Sequence, residues 1–504
     1  MSGLDVLSAR PLALRTHTDV LTAQRLDLDY YLPERVAAEA QVVDGRFRTA
    51  TLNALRRKDR PITDGIRRHD KSDSGVHLIR TQNLIGPSVD YGATAFINEE
   101  WHRTSLKSEV LPGDLLVAIR GYLGAAAIVV DGSPRANINQ HIARIGIDET
   151  KCSIRYLWSF LSSRVGRTIL ERYVTGTVQR GVTLPDLRAL RVPLPDRRIQ
   201  DFIGAKVELA ESCRAASSKS WTAATDLLGR ALGVPLTPET FEVKSAGNVS
   251  GPGYQVASIH PVVALVSPQR LVGAIGAQFF TPRRAKAILV IEQSGLRAKR
   301  LTELAERFTT RVGADEVQRL GLTYVGLAQV DSATGFVSTT CSEQPVGSSA
   351  SFGARDLLFS KLRPYLNKVA ICPESLEQAA GSTELVTYRT KPGVDPYYVF
   401  FVLKSPLVLN QVIDITSGST HPRVDPNLID EVLVPIADVA IQRRIGRSAR
   451  AALELMRRAT LLVDEAKADV EALIEGTLDV AAILAGRLKA ATADDIPELA
   501  EDDA

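Results

Sequence analysis

Cysteine is scarce in this chain, and the four present, Cys152, Cys213, Cys341 and Cys372, lie far apart and form no C-x-x-C pair. Such spacing signals neither a zinc ribbon nor a disulfide framework, and it fits a reducing cytoplasm. The seven histidines, His17, His69, His77, His102, His141, His260 and His421, show no metal-ligand spacing beside carboxylates or cysteines. Long apolar runs are also lacking. Residues 1–15 hold no long apolar core, and the longest apolar stretches elsewhere fall well short of a membrane span, so a cytoplasmic protein without membrane attachment is expected. Nor does one sign of charge dominate: 61 Lys and Arg against 58 Asp and Glu leave a net +3. That balance does not exclude a nucleic-acid partner, which needs clustered cations rather than a large total. Part of the acid sits in Asp494, Asp495, Glu498, Glu501, Asp502 and Asp503, a tail expected to be disordered. No G-x-x-x-x-G-K-[ST] phosphate loop occurs, so the usual Lys-bearing cradle for a nucleotide is missing.

What is present is ordinary globular material, 45% apolar and 24% charged over 504 residues, enough for two to four domains. The chain is also written twice. Pro112-Gly-Asp-Leu-Leu116 matches Ala354-Arg-Asp-Leu-Leu358, an offset of 356 − 114 = 242. The same offset sets Tyr156–Ser163 on Tyr398–Ser405, Thr175-Gly-Thr177 on Ser417-Gly-Ser419, Val192-Pro-Leu194 on Val434-Pro-Ile436, and Ile199-Gln200 on Ile441-Gln442. Arg120-Gly-Tyr-Leu123 pairs with Arg363-Pro-Tyr-Leu366 one residue out of step. Chance does not hold one register over so many positions, and a repeat of this length fixes the architecture before any motif does.

Within each copy, short β-branched and aromatic runs punctuated by Gly, Pro and Asp predict an α+β domain of mixed α/β structure. A helical segment follows each. In the second, Ile441, Ile445, Ala449, Ala452, Leu455, Ala459, Leu462, Ala466, Val470 and Leu473 step by three or four and form one apolar stripe. The first segment repeats the pattern more weakly from Ile199 to Ala231. Two such helices can pair as an antiparallel coiled coil; the alternative is two amphipathic helices, each packed on its own domain. Between the copies, residues 247–253 have linker composition.

Each copy opens on Arg25-Leu26…Tyr30-Tyr-Leu-Pro33 or Arg270-Leu271…Phe279-Phe-Thr-Pro282 and closes on Val-Pro-(Leu/Ile)…Ile-Gln…Ile. With the Gly-Asp-Leu-Leu strand, the Ile62-Thr-Asp-Gly65 element and Phe359-Ser-Lys-Leu-Arg-Pro-Tyr-Leu-Asn-Lys368, this order resembles the specificity subunits of Type I restriction-modification systems. The resemblance runs from about Arg25 to Gly476. It implies two target recognition domains in pseudo-repeat, separated by two long paired helices. The boundaries expected are an N-terminal segment (1–24), a first target recognition domain (25–195), a helical spacer (196–236), a linker (237–269), a second recognition domain (270–437), a second spacer (438–490) and the acidic tail (491–504). Two departures stand out. Polar Ser217-Ser-Lys-Ser220 interrupts the first helical stripe, leaving its continuity open, and Ile62-Thr-Asp-Gly65 has no clean twin.

The resemblance further implies a division of labour. This subunit would bind double-stranded DNA and hold no cofactor or metal; methyltransferase subunits, two of them on a duplicated protein, would bring S-adenosylmethionine chemistry, and a translocase-nuclease subunit would bring ATP hydrolysis. The residues agree in lacking enzyme signatures. Asp395-Pro-Tyr-Tyr398 misses the second Pro of an amino-methyltransferase motif, and its Tyr398 takes the place of Tyr156, so it reads as the start of a helix. Glu242-Val-Lys244 is a bare nuclease-like E-x-K without an obvious acidic partner. Competing readings are a self-contained restriction or modification enzyme, and a scaffold or regulator without sequence-specific DNA binding.

For DNA contact the strongest candidates are Arg57, Lys58, Arg60, Thr63, Arg67, Arg68 and Lys71, a basic cluster around a turn, able to meet several phosphates. Arg80, with Gln82 and Asn83 on what reads as the next strand, suits base edges. Arg120 and Tyr122 align with Lys361, Arg363, Tyr365, Asn367 and Lys368, which mix cations with an aromatic on one strand-turn. The hydroxyl-rich loops with Thr177, Gln179 and Arg180, and with Ser419, Thr420 and Arg423, can cradle a phosphate. For each group a bland alternative stands beside this one: a solvated basic loop, a core tyrosine, or a turn capped by hydroxyls. Asn137, Asn139 and Gln140 face the same choice between base contact and backbone satisfaction.

Overall fold

The structure is a computed structural model that describes residues 28–67, 70, 72–176, 180–242, 248–251, 254–257, 263–266, 277–339, 345 and 347–496. The described chain divides into two compact units, one holding residues up to Cys213 together with those from Arg458 onward, the other Arg214–Arg457.

In the first unit, two four-stranded sheets form. One has the spatial order Thr63–Asp64, Ile142–Gly146, Asp114–Ala118, Ala126–Ile128; the other runs Ala95–Ile97, Val76–Ile79, Ala136–Ile138, Glu109–Val110. Every residue of Asp114–Ala118 is buried, so this strand is covered on both faces. Its Leu116 and Ala118 pack with Ile79, Val110, Ala136 and Ile138 of the other sheet. Behind the sheet lies the helix Ile154–Ser162, whose Trp158 is buried and donates from Nε1 to the Ala126 carbonyl at 2.8 Å. Each such large apolar side chain is worth roughly 1.5–3 kcal/mol on burial.

The second unit repeats the plan. Ala305–Phe308, Leu385–Thr390, Leu357–Ser360 and Val369–Ile371 make one sheet; Arg311–Val312, Ser349–Phe352, Ala379–Gly381 and Thr323–Val325 make the other. Period-two alternation divides one strand between two layers: Leu358 joins the cluster containing Phe352 and Ala380's neighbour Ala379, while Leu357 and Phe359 join Tyr398, Phe400 and Leu403 of the helix Pro396–Lys404. The duplication persists to single hydrogen bonds. Tyr156 Oη donates to the Pro193 carbonyl at 2.9 Å, and Tyr398 Oη to the Pro435 carbonyl at 2.7 Å. Asp395 caps its helix by accepting from the Tyr397 and Tyr398 amides, which identifies Asp395-Pro-Tyr-Tyr398 as a helix start. The copies part company at sheet edges. The added strand is Ala95–Ile97 beside Val76–Ile79 in one, and Arg311–Val312 beside Ser349–Phe352 in the other.

Two long helices, Arg197–Leu232 and Val439–Glu475, follow the two domains. They pair. In the first unit Lys206 Nζ meets Asp469 Oδ2 at 2.7 Å and Cys213 lies near Arg458, so the partner's number falls as the helix's own rises and the pairing is antiparallel. In the second, Ala224, Leu228 and Leu232 share a core with Ile445 and Ala449. The stripe read from Ile445 to Leu473 is the buried one. Polar Ser217-Ser-Lys-Ser220 does not break the first helix: Ser217 is buried and its hydroxyl donates to the Ala452 carbonyl at 2.7 Å across the pair. Each helix ends before a glycine with positive φ, Gly233 at 73° and Gly476 at 90°, the left-handed stop that side chains resist. The second helix therefore ends earlier than the expected spacer, and a short helix Val480–Leu484 follows it. The stretch read as linker holds a three-stranded antiparallel sheet, Asn248–Gly251, Tyr254–Ala257 and Val263–Val266. Among the described residues no helix is long and apolar enough to cross a membrane.

Candidate nucleic-acid interface

Backbone pairing brings several of the candidate segments together. In the first unit the Ile119 amide donates to the His141 carbonyl (2.9 Å), the Val182 amide to the Ile119 carbonyl (2.9 Å), and the Gln140 amide to the Ile66 carbonyl (3.0 Å). The turn after the Asp114–Ala118 strand, with Arg120 and Tyr122, thus lies between the Asn139–His141 turn and the hairpin that closes on Arg180 and Gly181. Glycine is needed at 181 by contact, since a Cβ there would stand 2.5 Å from Arg120 Cγ. Asn139 donates its amide to the Ile79 carbonyl, which sets Arg80 beside the same turn. Ile66 and Arg67 complete the group.

The second unit builds the same junction. The Lys361 amide donates to the Glu384 carbonyl (3.0 Å) and the Val424 amide to the Lys361 carbonyl (2.9 Å). The Arg363 amide donates to the Pro422 carbonyl at 2.7 Å. Ser419 and Thr420 are exposed at the hairpin tip. The two tyrosines stand out from their turns: Tyr122 is 69% and Tyr365 50% exposed, which rules out the core alternative for both.

Other candidates are dispersed or turned inward. The basic cluster around residues 56–71 is not one patch. The Arg57 amide bonds the Gly146 carbonyl, at one end of the Ile142–Gly146 strand, whereas Ile66 and Arg67 lie at the other end, roughly 13 Å away at the rise of an extended chain. Lys58 is exposed near the first end; Thr63, half-buried, pairs opposite Arg144 in the middle and bonds the Asp64 carbonyl through its hydroxyl. Arg60 is a correction to the sequence reading. Its guanidinium grips the fully buried Asp114 through Nε at 2.8 Å and through Nη2, and also bonds the Glu109 carbonyl. Asn367 donates inward to the Lys404 carbonyl (2.9 Å), and Lys368 Nζ to the Val330 carbonyl (2.6 Å), with burial lowering the Lys368 pKa. Gln82 and Asn83 occupy a single 3-10 turn, Thr81–Asn83, rather than a strand, and Asn83 is buried with its side chain accepting from the Arg80 amide. Asn137 is likewise committed internally, to His102, Ser105 and Ser108. Arg68, Lys71, Thr177 and Gln179 lie outside the described residues, as do Cys341, Val243 and Lys244.

Charge pairing sorts what remains. Among the described residues, Lys58, Arg80, Arg120, Lys361 and Arg363 form no ion pair with a carboxylate, whereas Arg67 is 3.7 Å from Asp64 and Arg57 3.9 Å from Asp59. Arg363 is held at φ 47° immediately before Pro364, a backbone state that costs a non-glycine residue roughly 1–3 kcal/mol. Its Nε is buried without a partner. Two further groups escaped the sequence reading. Asp29 receives Arg180 Nη2 at 2.6 Å, and Glu384 receives Arg423 through Nε (3.1 Å) and Nη2 (2.8 Å). That hydrogen bond, with Lys361 nearby, holds the Glu384 carboxyl below the usual range. The signal for Glu384 was its place in the repeat, opposite His141; nothing in the spacing pointed to Asp29.

No protein-family model matches the chain. It is similar to the Type I restriction enzyme EcoBI specificity subunit of Escherichia coli, with 30% identity over 158 residues, 31% of this chain and 33% of that protein. The match therefore spans about a third of that relative's length. Among solved structures, the Type-I restriction-modification S subunit of M. genitalium aligns over 86% of this chain and 97% of its own, at 12% identity and a TM-score of 0.42. The HsdS subunit of Thermoanaerobacter tengcongensis aligns over 88% and 97%, at 15% identity and a TM-score of 0.25. The similarity to Type I specificity subunits found in the motifs is thus met again in the curated relative.

Proposed function

We propose that the chain is the non-catalytic specificity subunit of a Type I restriction-modification complex, acting on double-stranded DNA in the cytoplasm. Each recognition domain reads one short block of an asymmetric, bipartite target. The paired helices set the unspecified spacer and offer two related docking surfaces to two methyltransferase subunits, with a restriction translocase-nuclease joining the assembly.

The observation that carries this reading is a junction built twice on the same backbone hydrogen bonds and lined differently: Arg120, Tyr122 and His141 in one copy, Lys361, Arg363, Tyr365 and Glu384 in the other. A shared scaffold with different side chains suits one task performed on two different sequences. Unpaired arginines and lysines attract phosphates, and exposed tyrosines add stacking or sugar contact. S-adenosylmethionine belongs to the methyltransferase partner in this scheme.

The test is to co-produce the chain with its cognate methyltransferase and map methylated sites across a genome. Replacing residues 270–435 by the matching segment of another such subunit should change one block and preserve the other block and the spacer length. If both blocks change, or neither does, the modular reading fails. Methyl transfer by the purified chain alone would overturn the non-catalytic assignment, and absence of any sequence preference would favour a scaffold.

A further inference from the structure

In both units the arginine that closes the hairpin is held by a carboxylate, yet the carboxylates come from unrelated places. Asp29 lies in the single turn Leu28–Tyr31, where the described residues begin, and meets Arg180. Glu384 lies between the strands Ala379–Gly381 and Leu385–Thr390 and meets Arg423. The arginines are not repeat counterparts, since Leu362 pairs with Arg423 as Arg120 does with Gly181, which sets Arg180 level with Pro422. Each hairpin thus carries a carboxylate-held arginine reached by its own route in the sequence.

A carboxylate at 2.6–3.2 Å nearly cancels the arginine's charge toward a distant phosphate. Counterion release rewards net positive charge, so such a pair is a poor backbone anchor beside unpaired Arg120, Lys361 and Arg363. What the carboxylate supplies is direction. Arg423 is bound through Nε and Nη2, which fixes the plane of its guanidinium while leaving the side chain 46% exposed. Arg180, bound through Nη2, is 42% exposed. A planar fork held at a fixed angle suits a guanine edge, where N7 and O6 accept two parallel hydrogen bonds.

We propose that Arg423 and Arg180 each read a guanine, one in each block of the target, and that Glu384 and Asp29 are the positioning residues that aim them. This rests on the specificity-subunit reading above. The chain also divides its cations by task, unpaired ones for phosphates and carboxylate-held ones for bases.

The experiment uses the chain co-produced with its cognate methyltransferase and reads methylated sites genome-wide. The unaltered complex is the control: if it methylates without sequence preference, the underlying reading fails and the variants decide nothing further about function. Given a defined site, Glu384→Gln should lower discrimination at one G·C pair of one block by roughly tenfold, leaving the other block intact, which also proves the protein folded. Asp29→Asn should do the converse. Arg423→Lys keeps the charge and loses the fork, and should relax the same base pair as Glu384→Gln. Three results would overturn the proposal: unchanged preference at every position in Glu384→Gln, a uniform gain in affinity for all sequences, or full specificity retained by Arg423→Lys.

Discussion

Arg60→Ala should unfold the first unit sooner rather than release DNA. The substitution removes two hydrogen bonds to a carboxylate with no solvent exposure, since Asp114 is fully buried. Breaking a buried pair from one side costs about 3–5 kcal/mol because the remaining charge stays unsolvated. The lower end applies here: Asp114 keeps the Leu111 amide at 2.8 Å, and Arg144 Nη1 stands 4.0 Å away. About 3 kcal/mol corresponds to a fall of roughly 6–12 °C in Tm for a body of this size. Calorimetry measures it, and adding Asp114→Asn should recover much of the loss, because the orphaned charge is then gone. The reasoning is refuted if Arg60→Ala melts like the unaltered protein while DNA affinity drops with a shallower salt dependence, the mark of a lost phosphate contact.

Other outcomes follow from single features. Tyr398→Phe should cost about 2–3 kcal/mol and Tyr156→Phe about 1–2, because Tyr398 Oη also accepts from the Ala437 amide (3.3 Å); hydrogen exchange over each unit separates the two. Arg363→Gly should raise stability by about 1 kcal/mol, by relieving a left-handed residue before proline, yet weaken DNA binding, measured by denaturation and anisotropy in parallel. Seven residues added to both long helices should lengthen the target spacer by about three base pairs, read from methylation maps, at ~1.5 Å per helical residue and ~3.4 Å per base pair. The Glu384 carboxyl is depressed in the fold, so its stabilising pair with Arg423 is fully present above the ordinary glutamate range and lost only as pH falls through the lower folded value; acid titration of hairpin exchange rates checks this.

The duplicated architecture was legible because repetition is a property of the string: Tyr156 and Tyr398 announce the same place before any coordinates exist. The helices were legible for a related reason, since Ile445 to Leu473 keep one face over eight turns. Ser217 left the first helix's continuity open because a hydroxyl can return a hydrogen bond to a neighbouring helix, and no local pattern encodes that neighbour. At the interface the failure was of direction. Arg57, Arg60 and Arg67 are close in sequence, yet a strand that enters the sheet between them carries them apart and turns Arg60 to the interior. Asp29 and Glu384 were missed because their arginines are distant in the chain, 151 and 39 residues away.

The buried aspartate of the Asp-Leu-Leu strand bears on how such chains recombine. Asp114 is served by Arg60, 54 residues earlier, and the residue opposite it across the sheet is Gly146, where a Cβ would press within 3 Å of the Arg60 stem. Asp356 is served by Arg389, 33 residues later. Arg389 occupies the place of Gly146 in the repeat, one residue beyond Tyr388, which pairs with Leu357. A crossover joining the front of the first copy to the back of the second, between these positions, would set two arginines on one carboxylate in space for one. The reciprocal crossover would leave the carboxylate with neither, and with only the more distant Arg144 that stands 4.0 Å from it in the first copy. A breakpoint within a domain therefore disturbs this carboxylate from both directions, whereas one in either long helix leaves it with its own arginine. On the specificity-subunit reading proposed above, chimeras joined between domains should therefore keep their fold, and those joined inside a domain should lose it.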